Sequence, residues 1–87
     1  MPNTASAERR ARSSARRAAR NQSVRSKLRT LEKRYLLAIT DKQKDAAPGA
    51  LRAVSSALDK AAKAGVVHRS HADRKKSRLA RKLVALA

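Results

Sequence analysis

Over residues 5–40 the chain has no proline and no glycine, and Ala, Arg, Lys and Leu dominate. Such residues lose little freedom in a helix, so this stretch predicts one helix of about 36 residues, roughly 54 Å long. A rod of that length is wider than the domain 87 residues can build, so part of it must project. The apolar residues indicate which part. Val24, Leu28, Leu31, Tyr35, Ala38 and Ile39 recur mainly at spacings of three and four and form one stripe. Between positions 2 and 24 no apolar residue larger than Ala occurs. The second half of the helix therefore has a face to bury and the first half has none. The reading is one domain over residues 1–87, with a basic helical arm at 1–23 and a three-helix bundle at 24–87. Asn3 or Thr4 is expected to cap the first helix, with Glu8 in its first turn favourable to the helix dipole.

Two shorter helices complete the expected all-α, three-helix bundle. Residues 41–45 read as a polar turn, with Asp45 as the N-cap of the second helix and Pro48 tolerated in its first turn. Leu51, Val54, Leu58, Ala61 and Ala62 form its apolar stripe, and Gly65 is placed to end it in a left-handed conformation. Val66 and Val67 make a short connector expected to be buried. Ser70 and Asp73 resemble a capping box opening a third helix that runs to about Leu86. Its inward residues are Ala72, Leu79, Leu83 and Leu86. Arg74, Lys75, Arg78, Arg81 and Lys82 lie elsewhere on its surface. Short links favour antiparallel neighbours.

The core available to this bundle is thin. Tyr35 is the only aromatic, and much of the 41% apolar content is Ala. Against it stands a net charge of +17, whose self-repulsion opposes compaction. Residues 1–34 hold eleven basic and two acidic residues, residues 68–87 seven and one, and residues 41–64 five and three. Two cationic blocks thus flank a nearly neutral middle. A solubilising surface usually mixes signs, so the excess reads as half of an interface with a polyanion.

Other classes fit poorly. With no Cys there is no disulfide framework and no thiolate metal site. No apolar run approaches the roughly 20 residues that span a bilayer, and no hydrophobic stretch follows the first basic residues as in a secretory signal. Residues 1–30 have the Arg, Ser and Ala content of an organellar transit peptide, but lack an amphipathic face and leave the second basic block unexplained. His68 and His71 share a spacing compatible with one helix face, yet two His beside many cations make a poor zinc site. Ser70, His71 and Asp73 carry the letters of a hydrolase triad, but sequence neighbours on a helix do not face one another. There is no Gly-rich phosphate loop. No catalysis, cofactor, metal, membrane, small-molecule substrate or homo-oligomer is expected.

The first helix carries its charge most of the way round: Arg9, Arg16, Arg20 and Lys27 share a face, with Arg10 and Arg17 a quarter-turn away and Arg25 and Arg29 opposite. A reader of double-helical DNA usually lays one helix face in a groove. Charge on several sides suits folded RNA, where backbone strands converge, and the lack of aromatics argues against base stacking. A nucleoid-type basic DNA-binding protein is the alternative.

Two stretches resemble a known family. One is Ser6-Ala7-Glu8-Arg9-Arg10-Ala11-Arg12, continuing through Arg16-Arg17-Ala18-Ala19-Arg20-Asn21 to Arg25-Ser26-Lys27-Leu28-Arg29-Thr30. The other runs Gly65-Val66-Val67-His68-Arg69-Ser70-His71-Ala72-Asp73-Arg74-Lys75-Lys76-Ser77-Arg78-Leu79. At this separation they resemble the bacterial small-subunit ribosomal protein S-twenty family, and the resemblance covers essentially the whole chain. It implies a three-helix bundle with an extended first helix, a cytoplasmic ribosomal location, and direct binding to 16S ribosomal RNA during early subunit assembly. It implies RNA contacts at Ser6, Arg9, Arg10, Arg12, Arg16 and Arg17, and at Arg20, Asn21, Arg25, Ser26, Arg29 and Thr30. In the second motif it implies His68, Arg69, Arg74, Lys75, Ser77 and Arg78. Ser70-His71 departs from the Asn-Lys often found there. Asp73 replaces a small neutral residue and is expected to serve as a cap.

Overall fold

The computed structural model describes residues 4–86 as three helices in chain order: α1 (Thr4–Thr40), α2 (Ala47–Lys63) and α3 (Arg69–Leu86). The described residues contain no strand. At 1.5 Å per residue the 37 residues of α1 reach roughly 55 Å, most of the 65 Å length of a molecule only 21 by 14 Å across. The radius of gyration is 17.6 Å, against the roughly 12 Å expected of a compact chain this long. α2 packs on α1 and α3 packs on α2, while α1 and α3 meet only lightly. No described helix is long and apolar enough to cross a membrane.

The expected stripes supply the core. Tyr35 and Ala38 of α1 are buried with Ala47, Val54 and Leu58 of α2 and Ala72 and Leu79 of α3. Leu28, Leu31, Ile39, Leu51, Leu83 and Leu86 pack around them, half-buried. Tyr35 is 0% exposed, and its hydroxyl donates to the Leu79 carbonyl. One phenol thus joins α1 to α3 through the centre. Burial pushes its pKa up, opposed by the Leu83 backbone. Val66 is buried and Val67 half-buried.

From Thr4 to Arg20 every side chain is exposed except that of Ser13. Among the described residues the first half of α1 packs against nothing, in keeping with the missing stripe.

The starts of all three helices differ from expectation. Thr4 already lies within α1, which puts Glu8 in its second turn; Asn3 lies outside the described residues. α1 ends at Thr40 as expected and is closed by Lys42 at φ 56°, with Lys42 N–H on the Ile39 carbonyl and Gln43 N–H on the Ala38 carbonyl. This is a Schellman ending with lysine where glycine is usual. Asp45 is not the N-cap of α2. Ala46 occupies that position without a side-chain hydrogen bond, because the Gln43 carbonyl accepts the Ala47 N–H and Pro48 has none to satisfy. Ser70 and Asp73 do not cap α3 either. The His68 ring Nδ1 accepts the Ser70 N–H at 3.1 Å, and the His68 carbonyl accepts the Ala72 N–H. The end of α2 behaves as expected: Gly65 has φ +77°, its N–H reaches the Ala62 carbonyl, and Val66 N–H reaches Ala61.

Candidate nucleic-acid interface

The arm and the start of α3 present the residues singled out by the two sequence motifs. Ser6, Arg9, Arg10, Arg12, Arg16, Arg17 and Arg20 are exposed on the unpacked half of α1. Arg25, Ser26, Arg29 and Thr30 are exposed where α1 enters the bundle. His68, Arg69, Arg74, Ser77 and Arg78 are exposed on or beside α3, and Lys75 is half-buried. From Ser6 to Thr30 the helix advances roughly 36 Å, so these residues form a strip, not a single pocket.

The two motifs meet at one place. Arg25 and Arg29 of α1 and His71 and Lys75 of α3 line a groove of about 240 Å³ that also contains Glu32. Beside it, His71, Arg74, Lys75 and Arg78 line a second cleft of about 180 Å³. These four lie at i, i+3, i+4 and i+7, one face of α3. His71 was not among the expected contacts, yet it sits in both cavities. The same helical spacing in the sequence would have placed it on that face of α3.

Acidic residues set the posture of several cations. Lys75 Nζ lies 3.3 Å from Glu32, tying α3 to α1. Lys76 Nζ lies 2.8 Å and Arg69 Nη1 3.3 Å from Asp59, tying α3 to α2. Arg69 Nη2 also lies 3.2 Å from Asp73, so the acid expected to cap the helix instead pairs one turn back. The Lys76 hydrogen bond, with the charges of Lys76 and Arg69, holds the Asp59 carboxyl below its ordinary value against a smaller opposing effect of desolvation. Solvent screens these partly exposed pairs, so they contribute little to stability. Their greater effect is to fix where Arg69 and Lys75 stand.

Two polar side chains of the first motif have local roles. The Thr30 hydroxyl donates to the Ser26 carbonyl at 3.0 Å, which leaves its oxygen free to accept. Asn21 is half-buried, and its Oδ1 is shielded from solvent without a protein partner. A buried acceptor left unpaired costs about 1–3 kcal/mol. Among the described residues no group of three or more His, Cys, Asp or Glu gathers to hold a metal.

Comparison with known proteins spans nearly the whole chain. The model of the family described as "Ribosomal protein S20" matches residues 2–84, including the Arg- and Ser-rich stretch of the arm. The chain is 44% identical over 87 residues to "Small ribosomal subunit protein bS20" of Akkermansia muciniphila, with all of both chains covered. It is 46% identical over 87 residues to the protein of the same name from Bordetella avium, again with full coverage of both. For that of Anaeromyxobacter the identity is 45%, covering all of this chain and 97% of the relative. Three helices with a long first one, the paired basic motifs and full-length identity agree: the chain belongs to the ribosomal protein S20 family.

Proposed function

We propose that this chain is a structural constituent of the bacterial small ribosomal subunit, located on the cytoplasmic ribosome, that binds 16S ribosomal RNA directly and supports subunit assembly. The family supports the ribosomal role. The observation that carries direct RNA binding is the arm: a helix with cations on several sides and no face of its own to bury. Such an element gains its counterpart from phosphates that surround it. The basic face of α3 adds a second contact, and α2, nearly neutral, completes the scaffold between them. The residues proposed to touch RNA are those of the two motifs, from Ser6 to Thr30 and from His68 to Arg78, with His71 added. The division into an arm at 1–23 and a bundle at 24–87 belongs to the same proposal.

The test is competitive binding of the full chain to 16S ribosomal RNA and to duplex DNA across a salt series. Preference for the RNA is expected, with a log–log salt slope on the order of −7 to −9 if about ten phosphates are neutralised. Equal affinity for duplex DNA would favour a nucleoid-type protein instead. A slope near −2 would overturn the extended contact.

A further inference from the structure

We propose that the groove between α1 and α3 holds one unstacked nucleotide of the bound RNA, its base in the groove and its phosphate in the neighbouring cleft. This rests on the RNA-binding reading above and goes beyond it, since contact with phosphates alone would give shape recognition without a base pocket. The two cavities differ in chemistry. The groove has an apolar floor made by Leu28, Leu58 and Val67. The cleft is lined only by His71, Arg74, Lys75 and Arg78. They share His71 and Lys75, so they adjoin. A site for phosphate alone needs neither an apolar floor nor a carboxylate.

Glu32 is the informative residue. Near a phosphate its charge would be repulsive, and tying Lys75 to α1 uses only one of its oxygens. One of its oxygens, Oε1, holds Lys75 at 3.3 Å, which leaves Oε2 for a second donor. A free carboxylate oxygen at the edge of an apolar floor is an acceptor for the N–H groups of a base edge. Lys75, held by that carboxylate, reaches both cavities and stands between the base and its phosphate. The aliphatic floor does for one base what an aromatic platform does elsewhere, so the scarcity of aromatics does not exclude it. Loops and bulges supply bases free to enter.

The test is chemical probing of 16S ribosomal RNA with the full chain, reading base edges by base-specific modification and the backbone by hydroxyl radicals. The chain should protect at least one unpaired base at its edge within the backbone footprint. Glu32→Met keeps the length of the side chain and removes the acceptors. Val67→Phe fills the groove, and circular dichroism establishes whether that variant folds. With either variant the base should become reactive again while the backbone footprint of the arm persists. Deleting that nucleotide should weaken wild-type binding about tenfold, within the range for loss of one base contact, and leave Glu32→Met binding nearly unchanged. A backbone footprint with no protected base edge, or protection that survives Glu32→Met, would overturn the nucleotide pocket and leave RNA binding standing. Absence of any footprint would overturn both.

Discussion

Tyr35 carries more of this fold than any other residue, because it is fully buried, the only aromatic, and bonded through its hydroxyl to Leu79 of α3. Tyr35→Phe keeps the ring and removes the donor. The expected cost is about 1 kcal/mol, read as a lower denaturant midpoint at unchanged slope. Tyr35→Ala should cost about 3–5 kcal/mol, as much as a core this small supplies, and leave the bundle unfolded at 37 °C. A Phe variant with the wild-type midpoint would show that the hydrogen bond contributes nothing net. The raised phenol pKa adds a pH signature. Folded Tyr35 keeps its proton where an unfolded tyrosine has lost it, so its contribution is full below pH 10 and is lost as pH climbs through the raised value. The phenylalanine variant should therefore lose less stability than wild type above pH 10. At this scale the sequence displayed the basic residues and the core stripe plainly, because helical periodicity exposes both. It did not display the groove. Glu32 and His71 lie on different helices, and their approach depends on how α1 and α3 cross.

The helix ends show the same divide one level up. Gly65 was legible, because glycine at a helix end announces the left-handed conformation it adopts at φ +77°. Lys42 takes the equivalent position at φ 56° with nothing in its chemistry to mark it. Asp45 and Ser70 looked like caps by type. The Gln43 carbonyl and the His68 ring hold those positions instead, since the direction in which the chain enters each helix decides which group reaches its N–H groups. The two left-handed sites make opposite predictions. A Cβ at Gly65 meets no atom within 4 Å, so Gly65→Ala should cost only the backbone term, about 1–2 kcal/mol. Lys42→Gly should stabilise by about 0.5–1 kcal/mol, relief of that term less the added freedom of the unfolded chain. Thermal melts of both read the difference, and equal shifts in one direction would contradict it. The arm gives a further prediction, which also tests its division from the bundle. In the free protein, amides up to about residue 22 should exchange fast, and those at 24–39, 51–62 and 79–86 slowly, because a helix without tertiary contacts is marginal. Uniform protection without RNA would contradict a projecting arm.

For the whole molecule, one charge distribution should govern both stability and the proposed RNA binding, with opposite responses to salt. Folding gathers a net charge of +17 onto a bundle with a thin core, so repulsion acts against the folded state. Among the described residues, the four ion pairs that could offset it are at least partly solvent-exposed and engage only Glu32, Asp59 and Asp73. Screening at higher ionic strength weakens repulsion and pairs together, and with 23 basic against 6 acidic residues the repulsion dominates. The melting temperature of the free chain should therefore rise between 50 and 500 mM monovalent salt. Over the first part of that range RNA affinity should fall by about four to five orders of magnitude between 50 and 200 mM, as released counterions lose their entropic advantage. A melting temperature that falls with salt would mean that the pairs holding α3 to α1 and α2 outweigh self-repulsion. In that case Asp59→Asn, which removes the partner of both Lys76 and Arg69, should abolish the fall. The opposite slopes also bear on how the chain would meet the proposed RNA. Phosphates that neutralise the arm remove the repulsion that destabilises the bundle, so RNA binding and folding should reinforce each other. A complex in low salt should then melt well above the free chain in high salt.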